Sequence, residues 1–252
     1  MGDCALRFGS VASAYERFRP GYPDALVDEV LAFAGRPIRT ALEIGAGTGK
    51  ATRAFARRGI TLTASDPDEA MLAELRAHVP PEVVTVQGSL EALPLTSRYD
   101  LVFAAASLHW TEPGSRWWRV ARMLTPNGTF ASFGGQVHLA DDDIEQAVRV
   151  ARSDFLTTDD IPSPDGTAAA APMQWPGTEL VICDLFTDVR QSSIERRVVV
   201  SADSYIGYLS TVSAYLELPQ PARAQVLTRI RDVLPQAVSV SADITLHLAR
   251  LR

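Results

Sequence analysis

A glycine-rich turn constrains the fold of this chain more than any other feature of its sequence. Residues 41–50 read ALEIGAGTGK, so alternate positions in the turn are glycine. Glycine adopts positive φ without strain and lets a ligand approach the backbone closely. The apolar run 40–44 before the turn predicts a buried strand, and residues 50–58 predict a helix that ends at Gly59. The first amides of that helix are free to bind an anionic group, so the turn is a candidate ligand site.

Strand-like and helix-like segments alternate around this turn. Short apolar runs predict further strands at residues 60–65, 83–86, 100–105 and 129–133. Helical spacing of apolar side chains predicts helices at residues 23–34, 66–75, 117–124, 203–215 and 221–234. Strands joined by helices at this spacing form parallel βαβ units. We therefore expect an α/β fold with a Rossmann-like, doubly wound sheet that is mostly parallel.

The C-terminal third is expected to complete the sheet. Residues 189–200 are strand-like, and residues 244–248 alternate apolar and polar side chains. A long strand, then helices, then a final strand predict an antiparallel hairpin. The C-terminal strand is therefore expected to be antiparallel to its neighbours.

Residues 136–180 interrupt the rhythm directly after the fifth strand. The segment is rich in Pro, Ala and Gly, and prolines from Pro162 to Pro176 stiffen it. Long irregular segments in a compact domain are often lids over active sites. We expect an inserted cap at 136–180, an N-terminal helical segment at 1–35 and a single domain over 1–252.

Charge and cysteine content disfavour several classes of function. The 252 residues carry a net charge of −6, and a phosphate backbone attracts Lys and Arg, so nucleic-acid binding is not expected. No apolar stretch approaches the roughly 18–20 residues of a membrane span, and residues 1–10 lack the pattern of an export leader. Cys4 and Cys183 cannot form a disulfide framework, so we expect a reduced, cytoplasmic compartment. His78, His138 and His247 lack acidic or Cys partners nearby in sequence, so no metal is expected.

Two classes of cofactor fit the turn and the acid that follows it. Asp66 lies 21 residues after Gly45, at the end of the second predicted strand. An acidic side chain there can accept hydrogen bonds from both hydroxyls of an unphosphorylated ribose. A dinucleotide fingerprint needs its third glycine at position 50, which is Lys50 here. The pattern is instead E-x-G-x-G-x-G, which begins at Glu43.

Five motifs in order resemble the class I S-adenosylmethionine (SAM)-dependent methyltransferases, and among them the small-molecule group called type 11. Residues 43–49 match the family's first motif, and Ser65-Asp66 match its ribose-binding acid. Residues 88–94, 99–103 and 124–128 resemble the adenine-flanking segment, the fourth strand and the turn before the fifth strand.

The resemblance implies a SAM site and the residues that form it. It covers about residues 8–135 and 185–252. The implied cofactor contacts are Glu43, Gly45, Ala46, Gly47, Gly49, Asp66, Pro67, Met71, Ser89, Leu90, Glu91 and Ala105. The family often has Asp where this chain has Ser89, and that Asp binds the adenine amino group. We therefore expect backbone atoms of Ser89 and Leu90 to make more of the hydrogen bonds to adenine. Met71 is placed either to cover the adenine ring or to fill the core.

The N-terminal segment resembles a narrower group, the trans-aconitate methyltransferase-like proteins. The shared pattern is Phe8, Ala12, Tyr15, Arg19-Pro20 and Tyr22-Pro23. In such proteins an N-terminal helix closes over the cofactor. The resemblance implies that Tyr15 and Arg19 reach the methionine carboxylate, Arg19 by paired hydrogen bonds. The alternative is that both residues only cap the first helix at the surface.

The acceptor is expected beyond the carboxyl end of the fourth strand, where Ser107, His109 and Trp110 lie. The pair His109-Trp110 resembles the same aconitate-like group. His109 is either a general base with a pKa near 6–7 or a structural histidine bonded to backbone, and Trp110 is expected to form a pocket wall. Positioning in a dry cavity can supply most of the catalysis of methyl transfer. A base is needed only if a hydroxyl or a protonated amine accepts the methyl group.

Together these features predict a SAM-dependent methyltransferase of a small molecule, with a carboxylate or hydroxyl oxygen as the favoured acceptor. Two alternatives remain open. One is a SAM-binding protein with another role, and the other is an NAD-dependent oxidoreductase, which Lys50 disfavours. The expected partner is a small-molecule substrate, without nucleic acid or membrane, and the sequence does not indicate an oligomeric state.

Overall fold

The computed structural model describes residues 8–168 and 170–252. The α-helices are α1 (Ala12–Phe18), α2 (Asp24–Ala34), α3 (Lys50–Ala56), α4 (Glu69–His78), α5 (Pro113–Met123), α6 (Asp142–Arg152), α7 (Gly177–Ile182), α8 (Ala202–Leu209), α9 (Ser213–Leu216) and α10 (Gln220–Val233). The β-strands are β1 (Thr40–Ile44), β2 (Thr61–Asp66), β3 (Val84–Gln87), β4 (Tyr99–Ala105), β5 (Leu124–Gly134), β6 (His138–Leu139), β7 (Phe186–Ile194), β8 (Arg197–Ser201), β9 (Ala237–Ser241) and β10 (Ile244–Leu251). The expectations about Cys4 and about the start of the chain concern residues outside the described range.

Two sheets organise the described residues. Seven strands form one sheet in the order β3-β2-β1-β4-β5-β10-β7, and β6-β9-β8 form a second. Neighbours from β3 to β5 are parallel, whereas β10 runs antiparallel to both β5 and β7. This confirms the predicted Rossmann-like sheet and its antiparallel C-terminal strand. Strand order reverses between β1 and β4, and ligands bind outside the carboxyl ends of strands at such a switch point.

Helices cover both faces of the large sheet because successive strand residues point to opposite faces. In β4, Phe103 faces the cluster that contains Val30 of α2 and Phe55 of α3, whereas Val102 faces the cluster that contains Val120 of α5. Cys183 lies half-buried against this second cluster. The central strands are therefore buried on both sides, which explains why their sequences are apolar throughout.

Residues 189–200, predicted as one strand, belong to two strands in two sheets. β7 pairs with β10 in the large sheet, and β8 pairs with β9 in the small one. At the junction, Ala242 N donates to Arg196 O (2.8 Å) and Arg196 N donates to Asp243 Oδ1 (2.7 Å). The two strands thus form a continuous ribbon that bends from one sheet into the other. The prediction did not include β9.

A second hydrophobic core lies beyond this bend. It is built from residues of the predicted insertion, 136–180, and also from the later segment 197–241. Helix α6 and strand β6 pack with α8, α9 and α10 around Tyr205, Tyr215 and Ile230. Helix α7 instead returns to the large sheet, where Leu180 is buried. We call residues 136–156 and 197–241 the cap, and we propose that this two-part unit, rather than 136–180 alone, covers the site.

The N-terminal residues 8–22, which we call the strap, connect the large sheet's helices with the cap. Gly9 N donates to Asp68 Oδ2 (2.9 Å), at the start of α4. Phe18 packs on α8 so closely that a Cβ at Gly207 would lie 2.5 Å from its Cδ1. The strap is therefore held from both sides.

We expect Gly207→Ala to destabilise the protein by about 1–2 kcal/mol, because overpacking against Phe18 outweighs the better helix propensity of Ala. Gly88→Ala is the control, since a Cβ there would make ordinary contacts, at 3.7 Å, with Ala92 Cβ and Leu93 Cδ2. Thermal unfolding measures the difference, and limited proteolysis reports release of the strap. Equal stability of the two variants would contradict the contact between strap and cap.

Candidate active site

A cleft opens at the switch point between β1 and β4. The glycine turn forms one wall, and the strap, the ribbon bend and the cap form the others. Its lining residues are Tyr15, Arg19, Pro20, Gly21, Tyr22, Glu43, Gly45, Ala46, Gly47, Thr48, Lys50, Ala51, Ala105, Ala106, Gly135, Val137, Arg196, Tyr208, Ala242, Asp243 and Ile244. Tyr15, Arg19, Glu43, Gly45, Ala46, Gly47 and Ala105 of the sequence-predicted site therefore meet in one cleft.

Two glycines of the turn have different physical reasons to lack a side chain. A Cβ at Gly45 would lie 2.5 Å from Cβ of Ser107, whose hydroxyl donates to Ile44 O. Gly47 has φ of +55°, and a Cβ there would meet no protein atom within 4 Å. Gly45 thus permits tight packing of the turn on the end of β4, while Gly47 leaves open space for a ligand at the cleft.

The predicted ribose-binding acid holds the turn in place. Asp66 is buried, its Oδ2 accepts from Gly47 N (2.8 Å), and its Oδ1 accepts from Asp68 N (2.9 Å). Burial raises the pKa of Asp66, and the two backbone hydrogen bonds oppose that rise. Asp66 therefore orders the glycine turn, and a role toward ribose hydroxyls stays a prediction.

Glu43 is the most unusual acid of the cleft. Its side chain is fully buried, Oε2 accepts from the Thr52 hydroxyl, and Oε1 has no hydrogen-bond partner among the described residues. Burial raises the pKa of Glu43 to about 8, against the effect of the Thr52 hydrogen bond. An unsatisfied buried oxygen at the cleft fits a ligand that donates a hydrogen bond, as the amino acid end of SAM can.

The strap places a cation on the opposite wall. Arg19 Nε donates to Thr211 Oγ1 (2.9 Å) and Nη2 donates to Thr211 O (2.8 Å). Its guanidinium lies 5.1 Å from the ring centre of Tyr15 and 4.7 Å from that of Tyr208. Arg19 therefore ties the strap to the cap as well as facing the cleft.

Several predicted cofactor contacts do not line the cleft. Ser89, Glu91 and Pro67 are half-buried, and Met71 and Leu90 are buried. A Cβ at Gly49 would lie 2.8 Å from Leu75 Cγ, so this glycine serves packing on α4. The adenine end of the predicted SAM site therefore stays a prediction.

The predicted substrate residues lie beside the strap, outside the cleft lining. Ser107 is buried beneath the turn. The ring centres of His109 and Trp110 are 4.7 Å apart, and Trp110 lies 6.3 Å from Phe8. Burial, and then the charge of Arg116, lower the pKa of His109 to about 4, which corrects the expected value near 6–7. His109 is neutral at pH 7.

Fourteen of the 21 lining residues were not selected from the sequence, and those with functional side chains or in the cap include Tyr22, Val137, Arg196, Tyr208 and Asp243. They come from the strap, the ribbon bend and the cap, which are far apart in sequence. The N-terminal motif contained Tyr22, but the others carry no local pattern.

Residues 8–168 and 170–252 lack two further features. In that range no helix is both long and apolar enough to cross a membrane. No group of three or more His, Cys, Asp or Glu side chains in the same range is arranged to hold a metal ion.

Comparison with known proteins now assigns the family. A family described as a methyltransferase domain matches residues 42–132, from β1 to β5. An uncharacterised methyltransferase of Mycobacterium bovis is 31% identical over 235 residues, which span 92% of this chain and 87% of that relative. The chain belongs to the SAM-dependent methyltransferases. In this methyltransferase, the glycine turn, Glu43 and Asp66 occupy the family's first two motifs.

Other relatives agree with this assignment. The trans-aconitate 2-methyltransferase of Delftia acidovorans is 28% identical, over 91% of this chain and 89% of its own. A structure from Anaeromyxobacter dehalogenans, assigned as a type II methyltransferase, has a TM-score of 0.66 at 24% identity over 92% of this chain and 98% of its own. A SAM-dependent methyltransferase from Geobacter sulfurreducens, in complex with S-adenosylhomocysteine (SAH), has a TM-score of 0.52 at 16% identity, and covers 98% of each chain. At these identities, the two structures establish the fold alone.

We expect Glu43→Gln to change how stability depends on pH. The pKa of Glu43 is about 8 in the folded protein, above that of an unfolded Glu, about 4.3. The folded state therefore holds a proton that the unfolded state releases, and this stabilisation is full below about pH 4 and lost as pH rises through about 8. Gln cannot ionise, so the free energy of unfolding of the variant should exceed that of the parent at pH 9 by on the order of a few kcal/mol. Near pH 5 the two free energies should be similar. Urea unfolding at both pH values tests this, with exposed Glu82→Gln as control, and a gap independent of pH would contradict it.

Proposed function

We propose that this methyltransferase binds SAM at the glycine turn and methylates an oxygen, carboxylate or hydroxyl, of a small molecule. The observation that carries the proposal is the cleft itself, which joins the family's motif residues to a wall built by the strap and the cap. The name of the Delftia acidovorans relative, trans-aconitate 2-methyltransferase, supports a small-molecule acceptor.

The residues of the turn suit the amino acid end of SAM. Glu43 Oε1 has a free acceptor position, and Gly47 leaves open backbone beside it. Arg19, on the opposite wall, would pair with the methionine carboxylate through the N–H groups that Thr211 does not use. SAM supplies a methyl group already activated on a sulfonium.

The strap and the cap would supply the rest by position and by excluding water. Tyr15, Tyr22 and Tyr208 line the cleft from these two units. Orienting two reactants in a closed cavity removes entropy and solvent-reorganisation costs from the chemical step. Deprotonation is needed only for a hydroxyl acceptor.

The experiment for the proposed function is a binding titration with SAM, SAH and NAD, followed by product analysis with methyl-labelled SAM and a panel of small acids and alcohols. We expect micromolar SAM and SAH binding, no NAD binding, and SAH release with transfer of label to one class of acceptor. Binding of SAM without transfer to any acceptor would leave a SAM-binding protein, and preference for NAD would overturn the proposal.

We expect Gly47→Val to lose SAH binding while keeping the fold. A side chain there projects into the cleft and not into protein atoms, since no atom lies within 4 Å of its Cβ position. Gly59→Val is a matched control, because Gly59 also has positive φ (+73°) and open space, but lies outside the cleft. Both variants should lose about 1–2 kcal/mol of stability from left-handed backbone strain. Calorimetry should show SAH binding only in the Gly59 variant, and binding by both would contradict the proposed site.

The acceptor atom decides what His109→Gln does. With a hydroxyl acceptor and His109 as base, turnover should fall by about 10²–10⁴-fold, and the acid limb of the parent's rate profile should lie near pH 4. With a carboxylate acceptor, kcat should be unchanged because no proton is removed. SAH affinity, measured in parallel, should not change in either case. A rate that rises through pH 6–7 in the parent and not in the variant would contradict the lowered pKa.

A further inference from the structure

Some charged side chains of the cleft have a partner of opposite charge, and others do not. Lys50 Nζ donates to Glu16 O (2.6 Å) and lies 3.5 Å from Glu16 Oε1, so its charge has a carboxylate partner. In the proposed function, Glu43 pairs with the ammonium group of SAM, so it does not offset a cation of the cleft wall. The remaining charged side chains of the lining are Arg19, Arg196 and Asp243.

Neither arginine has an ion-pair partner within the described residues. Arg19 bonds only to the hydroxyl and carbonyl of Thr211. The side chain of Arg196 donates from Nη1 to Gly21 O (2.7 Å), a neutral carbonyl of the strap. The cleft therefore holds two guanidinium charges against one carboxylate.

That carboxylate is engaged elsewhere. Asp243 Oδ1 accepts from the backbone N–H of Arg196 (2.7 Å), and Oδ2 accepts from Ser241 Oγ (2.8 Å). These bonds lower the pKa of Asp243, so it stays ionised, and it fixes the ribbon bend from which the Arg196 side chain extends. Asp243 thus positions Arg196 without covering its guanidinium.

SAM would leave this imbalance in place. Its ammonium is assigned to Glu43, its sulfonium adds a positive charge, and its single carboxylate can neutralise only one guanidinium, for which Arg19 is the candidate. A half-buried cleft with this excess of positive charge attracts an anion. The second guanidinium is left for the acceptor.

We propose that Arg196 binds a carboxylate of the acceptor, so that the substrate class is small organic acids. The inference rests on the proposed function, since it concerns the acceptor end of the same cleft. A guanidinium has five N–H donors in a planar fork, of which Gly21 takes one, and this fork matches a carboxylate by paired hydrogen bonds. Because Arg196 also donates to Gly21 O, the same side chain attaches the strap and is available to the acceptor.

The test measures binding without turnover. Short aliphatic dicarboxylates and their matching diamides are titrated into the full-length protein saturated with SAH, by calorimetry. We expect at least one dicarboxylate to bind tenfold or more tightly than its diamide. Arg196→Gln should weaken dicarboxylate binding about 10–100-fold, leave diamide binding unchanged and keep SAH affinity within twofold. Arg196→Lys keeps the charge but loses the planar set of N–H donors, so its dicarboxylate affinity should lie between those of the parent and Arg196→Gln.

The control is Arg197→Gln, which removes the same charge from an exposed neighbour outside the cleft lining. It should bind the dicarboxylate as the parent does, and an equal loss would overturn the proposal in favour of a general surface field. A parent that binds SAH but no dicarboxylate, or binds the diamides as tightly, also overturns it. Loss of SAH affinity in Arg196→Gln would reassign Arg196 to the methionine carboxylate. Failure of the parent to bind SAH at all would instead overturn the proposed function.

Discussion

The hydrogen bond from Gly47 N to the Asp66 carboxylate is the constraint on which the site depends. It joins the end of β2 to the turn between β1 and α3, and so holds Gly47 in the left-handed conformation. A side chain at Gly47 would occupy the space in which we expect a ligand to bind. Tight packing of Gly45 on Ser107 fixes the other side of the turn against β4. With both neighbours of β1 engaged in this way, the turn has one conformation available, and the cleft opens beside it.

The cleft also depends on a second constraint, the ribbon bend. The backbone N–H of Arg196 donates to Asp243 where the ribbon passes from the large sheet into the small one. Residues 197–241, between these two positions, form the larger part of the cap. The strap closes the remaining side by contacts to α4 and α8. In the proposed function, the glycine turn and Arg19 of the strap bind the cofactor, and Arg196 of the ribbon bend binds the acceptor.

This division suits a family whose members share a cofactor and differ in acceptor. The family's methyltransferase domain match ends at residue 132, before the cap begins. Buried Glu43 and the glycine turn lie inside the match, whereas Arg196, Tyr208 and Asp243 lie outside it. The charged groups are divided in the same way. Glu43, whose pKa is raised, lies within the family match, whereas Arg196, which has no ion-pair partner among the described residues, lies next to the cap.

Local patterns in the sequence determined the large sheet. Strands β1 to β4 and helices α2 and α3 lie close to their predicted positions, because apolar runs and helical periodicity record burial on a sheet face or a helix face. Strand β5 contains the predicted strand 129–133 but begins at Leu124, within the segment predicted as a turn. The glycine spacing likewise located the turn that forms one wall of the cleft. These signals are local because each strand and its following helix form one packed unit with the sheet.

Only the tertiary structure decided the rest. No pattern within residues 189–200 shows that the strand changes sheets, because the bend is made by a carboxylate at Asp243, distant in sequence. The lowered pKa of His109 comes from burial and from Arg116, and the raised pKa of Glu43 comes from burial between strands. Whether Arg19 and Arg196 have carboxylate partners was equally invisible in the sequence. Charge, desolvation and sheet membership depend on what surrounds a residue in space, and those surroundings come from segments that only folding brings together.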